Sequence, residues 1–228
     1  QLKLNSDVPV YGDLRAGLLA EFNSFDRDLN ANLLTDDQIQ RGALATGNRI
    51  NLEPFISWDL EAPGWFFKPT VKYKQIAYDL RDQGQFVADD EEVGVGVFSL
   101  DTGLIFERPF DLGSGYRQTL EPRLYYLNSD YEDQSALPLF DTSEFSFSFN
   151  QMFRDDRFAG GDRIADADQL TAAITSRVLD NAGREKFRVS VGQVLYNDDR
   201  LVNLENPLQS FMPRLSTTST SSALVGEF

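Results

Sequence analysis

The chain has neither cysteine nor histidine in its 228 residues. Without cysteine there is no disulfide framework and no thiolate metal site. Without histidine the commonest general base and metal ligand are missing, and Ser-His or Cys-His nucleophilic chemistry is impossible within the chain. No Gly-x-Ser-x-Gly elbow is present either, so an enzyme reading, a barrel phospholipase included, ranks last. Positive charge is scarce: 21 Lys and Arg face 36 Asp and Glu, a net charge of -15. A nucleic-acid binder needs basic surface to neutralise phosphates, so that class drops sharply. Long apolar runs are missing as well, since no stretch approaches the ~18 residues of a transmembrane helix. A membrane is not thereby excluded, because a spanning β-strand needs only about 9–11 residues with one apolar face.

What the chain does have is alternation. Ile50, Leu52, Pro54, Ile56, Trp58 and Leu60 share one side; Arg49, Asn51, Glu53, Ser57 and Asp59 share the other, with Phe55 as the exception. Leu120, Pro122, Leu124 and Tyr126 likewise oppose Arg117, Thr119, Glu121, Arg123 and Tyr125. The same split recurs at 13–23, 67–74, 98–107, 170–178 and 186–195. Short connections at 61–64, 111–115, 181–183 and 7–11 alternate with long polar ones near 26–48, 81–92, 129–168 and 197–221. The segment 144–149 also alternates and reads as a short strand or an ordered loop element.

Short and long connections in turn are the pattern of an antiparallel meander with tight turns on one side, as in outer-membrane barrels. The expected fold is therefore all-β: an antiparallel meander of about nine or ten strands forming part of a large transmembrane outer-membrane β-barrel, one partial domain over 1–228. The chain starts at Gln1 without an initiator Met or signal peptide and stops at Phe228 within an alternating run. An open set of strands would leave unpaired backbone groups in lipid, so the rest of the barrel is expected outside this sequence.

The alternative is a soluble β-sandwich binding module of lectin or adhesin type, in which the apolar faces press together. Two features speak for the membrane instead. The non-apolar faces carry charges of both signs, such as Glu121 with Arg123, which suits a wet or plugged lumen. Aromatics such as Trp58, Trp65, Phe67, Tyr73, Tyr78, Phe106 and Tyr125 gather near strand ends, as interfacial girdles do. Pro54, Pro69 and Pro122 lie inside strand patterns and should mark bulges, weak register or local edges.

Several motifs bring a resemblance. They are the run 116–126, Asp133-Gln134-Ser135, Phe140-Asp141-Thr142-Ser143, Thr175-Ser176-Arg177 and, strongest, the run 153–164 (FRDDRFAGGDRI). The stretch from about Arg49 to Tyr196 resembles the C-terminal barrel of the LptD (OstA/Imp) family of lipopolysaccharide-assembly outer-membrane proteins. That resemblance implies a very large barrel in the outer membrane of a Gram-negative bacterium, inserting lipopolysaccharide into the outer leaflet. It also implies an LptE-like lipoprotein plug in the lumen, a periplasmic jellyroll joined to the Lpt bridge, and no cofactor. The jellyroll, the gate strands and the family's cysteines are not in this sequence, which would be a wall-and-loop portion.

Within that frame the polar rows supply lumen-facing candidates: Arg15, Glu53, Lys72, Glu121, Arg123, Arg177 and Arg188. A charge placed at Leu52 or Leu124 is expected to be costly, and one at Asn51 mild. The segment 129–168 is the functional candidate. Arg154, Arg157 and Arg163 alternate with Asp155, Asp156 and Asp162, and Gly160-Gly161 permits a tight bend. Arg pairs bidentately with carboxylates, so the cluster is expected to lock a loop over a barrel mouth or into its lumen. Contact of the arginines with lipopolysaccharide phosphates and a solvated loop are the other readings. Asp101, Asp162, Asp166 and Asp168 invite a metal or acid-pair reading, but their spacing fits no EF-hand. The acidic run 89–92 is a candidate for weak sharing of divalent cations.

Overall fold

A computed structural model describes residues 1–40, 42–82, 84, 90–110, 115–204 and 218–228. In chain order the strands are β1 (Leu2–Tyr11), β2 (Leu14–Phe25), β3 (Thr46–Trp58), β4 (Leu60–Ala62), β5 (Trp65–Arg81), β6 (Asp90–Leu104) and β7 (Phe106–Phe110). There follow β8 (Tyr116–Ser129), β9 (Ser143–Glu144), β10 (Phe158–Ala159), β11 (Ala167–Leu179), β12 (Glu185–Tyr196) and β13 (Val225–Glu227). Among the described residues, helix is limited to α1 (Asp36–Gln40) and two 3-10 turns, Ala31–Leu33 and Asn150–Phe153. The principal sheet runs β1-β2-β3-β5-β6-β8-β11-β12-β13, with β4 on β5 and β7 on β8. Every pairing is antiparallel, so the fold is an all-β antiparallel meander. Among the described residues the sheet does not close on itself. β9 and β10 form a separate two-stranded ribbon.

The two faces of the sheet are distinct. One, here the inner face, carries the segment 130–166; the other, the outer face, carries none of it. On β3, Arg49, Asn51 and Ser57 are buried on the inner face while Ile50, Leu52, Ile56 and Trp58 are exposed on the outer one. On β8 the contrast is between Thr119, 5% exposed, and Leu124, 47% exposed. Soluble proteins place their rows the other way round. Phe55, the exception in its row, points inward, where its ring occupies the space a Cβ at Gly17 would need.

Polarity inverts along the longer strands. The inner row of β5 runs Lys72, Lys74 and then Ile76, Tyr78, Leu80; its outer row runs Val71, Tyr73 and then Gln75, Asp79, Arg81. β6 does the same, with Ser99 and Asp101 giving way inwardly to Val97, Val95 and Val93. The apolar inner ends pack beneath the segment 130–166: Ile76, Tyr78, Leu80, Val93, Val95, Val97, Tyr125 and Leu127 join Leu137 and Ile164 in one cluster. Tyr78 and Tyr125 therefore belong to this cluster and not to an outer girdle, a correction to their sequence reading.

Between β3 and β5 and between β6 and β8 the outer apolar rows also slip against the ladder. Ile50 at the end of its row is level with Ala77, four positions beyond Tyr73, where the outer apolar row of β5 ends in bulky side chains. Phe98 is level with Asn128, beyond Tyr126, where the row of β8 ends. Both slips are toward the tight-turn edge.

The three interior prolines sit where a ladder is interrupted. Pro54 lies in a gap between the Leu52↔Gln75 and Phe55↔Lys72 pairs. Pro69 lies where β5 changes partner from β4 to β3, and Pro122 where β8 changes from β7 to β6. A residue without an N–H removes a ladder bond least harmfully where no partner is offered. The register shifts fall elsewhere, between Pro9 and Tyr11 and between Val178 and Leu179.

Three connections differ from their sequence reading. Residues 7–11 are the end of β1, and the turn falls at Gly12-Asp13, where Gly12 has φ 55°. The loop at 81–92 shrinks, because Asp90, Glu91 and Glu92 begin β6; Asp89 lies outside the described residues. Of the alternating 144–149 region only Glu144 joins a strand, β9, which pairs with Phe158–Ala159.

Candidate functional site

The segment between β8 and β11 is held to the inner face by buried ionic contacts. Arg49, on β3, is fully buried. Its Nη1 and Nη2 reach the two Asp141 carboxylate oxygens at 2.7 and 2.9 Å, and Nη1 also contacts Asp162. Its Nε donates to Asn51 Oδ1 at 2.8 Å, and Asn51 Nδ2 donates to the Gly161 carbonyl at 2.8 Å. Asp162, fully buried too, accepts from the Tyr78 hydroxyl at 2.7 Å. Its other oxygen accepts three successive backbone N–H groups, Phe140 and Asp141 at 2.8 Å and Thr142 at 3.1 Å. A buried carboxylate supplied with this many donors stays satisfied without water.

The two glycines have separate reasons. Gly160 has φ 85°, a conformation that side chains disfavour. Gly161 is needed for clearance: a Cβ there would stand 2.7 Å from Arg49 Nη2 and 3.0 Å from Asn51 Nδ2. The bend at Gly160-Gly161 thus lowers the Gly161 carbonyl and the Asp162 carboxylate onto β3 and β5.

A second attachment uses lysines of β5. Lys72 Nζ meets Asp155 at 2.6 Å, and Lys74 Nζ meets Asp156 at 3.1 Å. Burial pushes the Asp155 carboxyl up, but Lys74 and Lys72 outweigh it and hold it below the usual aspartate range. At Asp141 burial is again opposed, here by Arg49, and the net direction is down. Phe153 follows the lysine contacts into the sheet: the Arg123 guanidinium, itself paired with Asp101 at 2.6 and 2.8 Å, lies 3.8 Å from its ring centroid. Above Arg49, Phe25 stacks on Phe140 with ring centroids 4.3 Å apart.

The remaining cluster residues act within the loops. Arg157 pairs with Asp166 at 2.9 Å, and Asp166 also accepts from the backbone of Leu201 and Val202. Arg163 donates to the carbonyls of Leu137 at 2.9 Å and Pro138 at 3.0 Å. Arg154 is exposed and lies over the Phe145 ring, 4.3 Å from its centroid. Within the run Asp155 and Asp156 take lysines, the Asp162 carboxylate takes Arg49, and Arg163 donates to the Asp162 carbonyl at 2.8 Å.

The other inner-row residues make lateral pairs. Arg15 meets Asp7 at 2.9 Å. Glu121 meets Arg177 at 3.0 Å, and Glu185 meets Arg188 at 2.8 Å. Glu53 lies on the same face, partly buried near Lys74. At the tight-turn edge the Asp180 carboxylate accepts the backbone N–H of Arg184 and of Ala182, and is held down to about 2. Asp101, Asp162 and Asp166 are each engaged by an arginine.

Arg49, Lys74, Tyr78 and Asp141 were not singled out as site residues from sequence. Arg49 and Lys74 were visible only as members of polar rows, and Asp141 only as part of a motif.

The match to the family described as LptD, LPS transport system D, covers residues 1–228. The chain is similar to the LPS-assembly protein LptD of Pseudomonas savastanoi pv. phaseolicola, 40% identical over 90% of this chain and 24% of the relative. For that of Pseudomonas putida the figures are 38%, 90% and 26%. For that of Xanthomonas euvesicatoria pv. vesicatoria they are 42%, 79% and 23%. The chain thus spans about a quarter of the length of these curated relatives. With a family match along its whole length, the chain belongs to the LptD family.

Proposed function

We propose that this chain is a stretch of wall, with its inward loop, of a large outer-membrane β-barrel that inserts lipopolysaccharide into the outer leaflet of a Gram-negative outer membrane. The observation that carries the reading is the inverted burial: bulky apolar side chains exposed on one face, charged and hydroxyl side chains on the other. Hydrocarbon is the solvent that makes such an outer face stable, and a barrel is the strand structure that spans it. The slip of the apolar rows supports the same reading. A level belt crossing strands tilted by roughly 35–45° must shift against the hydrogen-bond register, always in one direction.

The inner rows, with Arg15, Glu53, Lys72, Glu121, Arg123, Arg177 and Arg188, then face an aqueous lumen or an LptE-like plug. The segment 130–166 blocks part of that lumen on the long-loop side, anchored by Arg49, Lys72 and Lys74. The chain's role is positional and not catalytic. A periplasmic Lpt bridge would deliver lipopolysaccharide through parts of the protein beyond this sequence. The names of the relatives, LPS-assembly proteins, favour this cargo over the sandwich lectin reading.

The test is depletion of the full-length parent with surface labelling of lipopolysaccharide and membrane fractionation. The expected result is parent in the outer-membrane fraction, with a heat-modifiable gel shift, and loss of newly made lipopolysaccharide from the surface. A parent in the soluble fraction, or unchanged surface lipopolysaccharide, overturns the proposal.

A further inference from the structure

Among the described residues, no carboxylate pairs with Arg108, on the outer face of β7. Several other strand arginines of this acidic chain are paired with carboxylates: Arg15 with Asp7, Arg117 with Glu107, Arg123 with Asp101, Arg177 with Glu121. Arg108 is instead fixed by neutral groups. Its Nε and Nη2 both donate to Gln118 Oε1, at 3.0 and 2.7 Å. Gln118 Nε2 donates to Ser176 Oγ at 2.9 Å, and Ser176 Oγ donates to the Thr119 carbonyl at 3.0 Å. Three strands, β7, β8 and β11, thus hold one guanidinium in a set orientation. A carbonyl oxygen steers it without cancelling its charge.

Its level matters. Arg108 is register partner to Gln118, one outer-row step from the Phe106↔Leu120 pair and one from Phe110↔Tyr116. Phe106 and Leu120 are exposed apolar residues of the outer face. The fork therefore emerges between the Phe106↔Leu120 and Phe110↔Tyr116 pairs of the outer row, near the tight-turn edge. With Nε and Nη2 given to Gln118, Nη1 has no partner among the described residues. A planar cation of this kind, at the rim of a hydrocarbon belt, matches a phosphate oxygen.

We propose that Arg108, oriented by Gln118 and Ser176, binds the phosphodiester of a glycerophospholipid in the leaflet that meets the tight-turn edge. The inference rests on the barrel reading above. The lipid's acyl chains lie along the outer row beside Phe106 and Leu120 while its phosphate meets the guanidinium.

The test uses the full-length parent, purified in detergent, stripped of lipid and titrated with phosphatidylglycerol, with retained lipid counted by native mass spectrometry. Loss of the fork in Arg108→Gln is expected to lower the affinity of one bound lipid about tenfold, and Arg108→Lys to restore it only in part. Arg117→Gln, on the inner face, is the control and should leave that lipid in place. A heat-modifiable gel shift of every variant reports that the barrel is intact. Equal lipid retention by wild type and Arg108→Gln overturns the inference and leaves the barrel reading standing. Displacement of the lipid by millimolar inorganic phosphate would make the site one for free phosphate and also overturns it. A parent that lacks the gel shift and binds no lipid overturns both.

Discussion

Arg49 and Asp162 are both fully buried and in contact, 113 positions apart in the chain. The contact fastens the segment 130–166 to β3, and Asp162 in turn caps the backbone of residues 140–142. One ion pair therefore links the segment's position on β3 to the path of its backbone at 140–142.

Removing one partner of a buried pair strands the other. Arg49→Met is expected to destabilise the docked segment by about 3–5 kcal/mol, because the buried Asp162 carboxylate would be left without its counter-charge. Asp141→Asn should cost less, since that side chain is partly exposed and Asp162 still pairs with Arg49. Limited proteolysis within 140–165 of the full-length parent measures both, with faster cutting expected for Arg49→Met.

Acid should release the segment and mild base should not. Asp155 and Asp141 have folded-state values below their ordinary ones. A depressed acid stabilises the docked state above its unfolded value, about 3.9 for Asp, and that contribution is lost as the pH falls through the lower folded value. The chain has no histidine, so no side chain with an ordinary value between 5 and 8 titrates there. Hydrogen exchange of the segment should be flat in docking strength from pH 5 to 8 and rise below about pH 4.

Gly160→Ala and Gly161→Ala should fail for different reasons. At Gly160 the cost is a left-handed backbone, about 1–2 kcal/mol, with further crowding at the Asp141 carbonyl. At Gly161 the added methyl meets the Arg49 fork. Arg49→Met should therefore relieve much of the Gly161→Ala defect and none of the Gly160→Ala defect. A double-mutant cycle on segment proteolysis reads this difference.

Charges on the two faces should differ in effect. Leu124→Arg on the outer face is expected to cost about 2–4 kcal/mol in membrane stability if it lies near the bilayer midplane. Arg188→Gln, at an exposed inner-face pair, should cost no more than about 1 kcal/mol. Asn51 is not the tolerant inner position that its row suggests, because it bridges Arg49 and Gly161. Refolding of the parent into vesicles across a denaturant series gives these values.

The strand faces were legible because a period of two is local: each residue of β3 and β8 declares its side beside its neighbours. Height along a strand was less legible. Tyr78 and Tyr125 read as girdle aromatics until the inward switch from Lys72 and Lys74 to Ile76, Tyr78 and Leu80 is noticed, a switch the sequence does contain. The loop is recognisable as charged in the sequence, and Gly160-Gly161 marks it as able to bend. Its partners were not legible, because nothing local tells Asp162 to choose Arg49 over Arg163 beside it. Such pairings are fixed by how the sheet brings β3 and β5 under the segment, which is long-range packing and not pattern.

The central claim is that alternate side chains meet hydrocarbon and an aqueous or protein-filled interior. A nitroxide scan along β8, positions 116–129, in the full-length parent within a lipid bilayer tests it directly. The expected result is high oxygen accessibility at 120, 122, 124 and 126, with low oxygen accessibility at 119, 121, 123 and 125. Equal accessibility of the two sets, or oxygen exclusion from the even set, would contradict it.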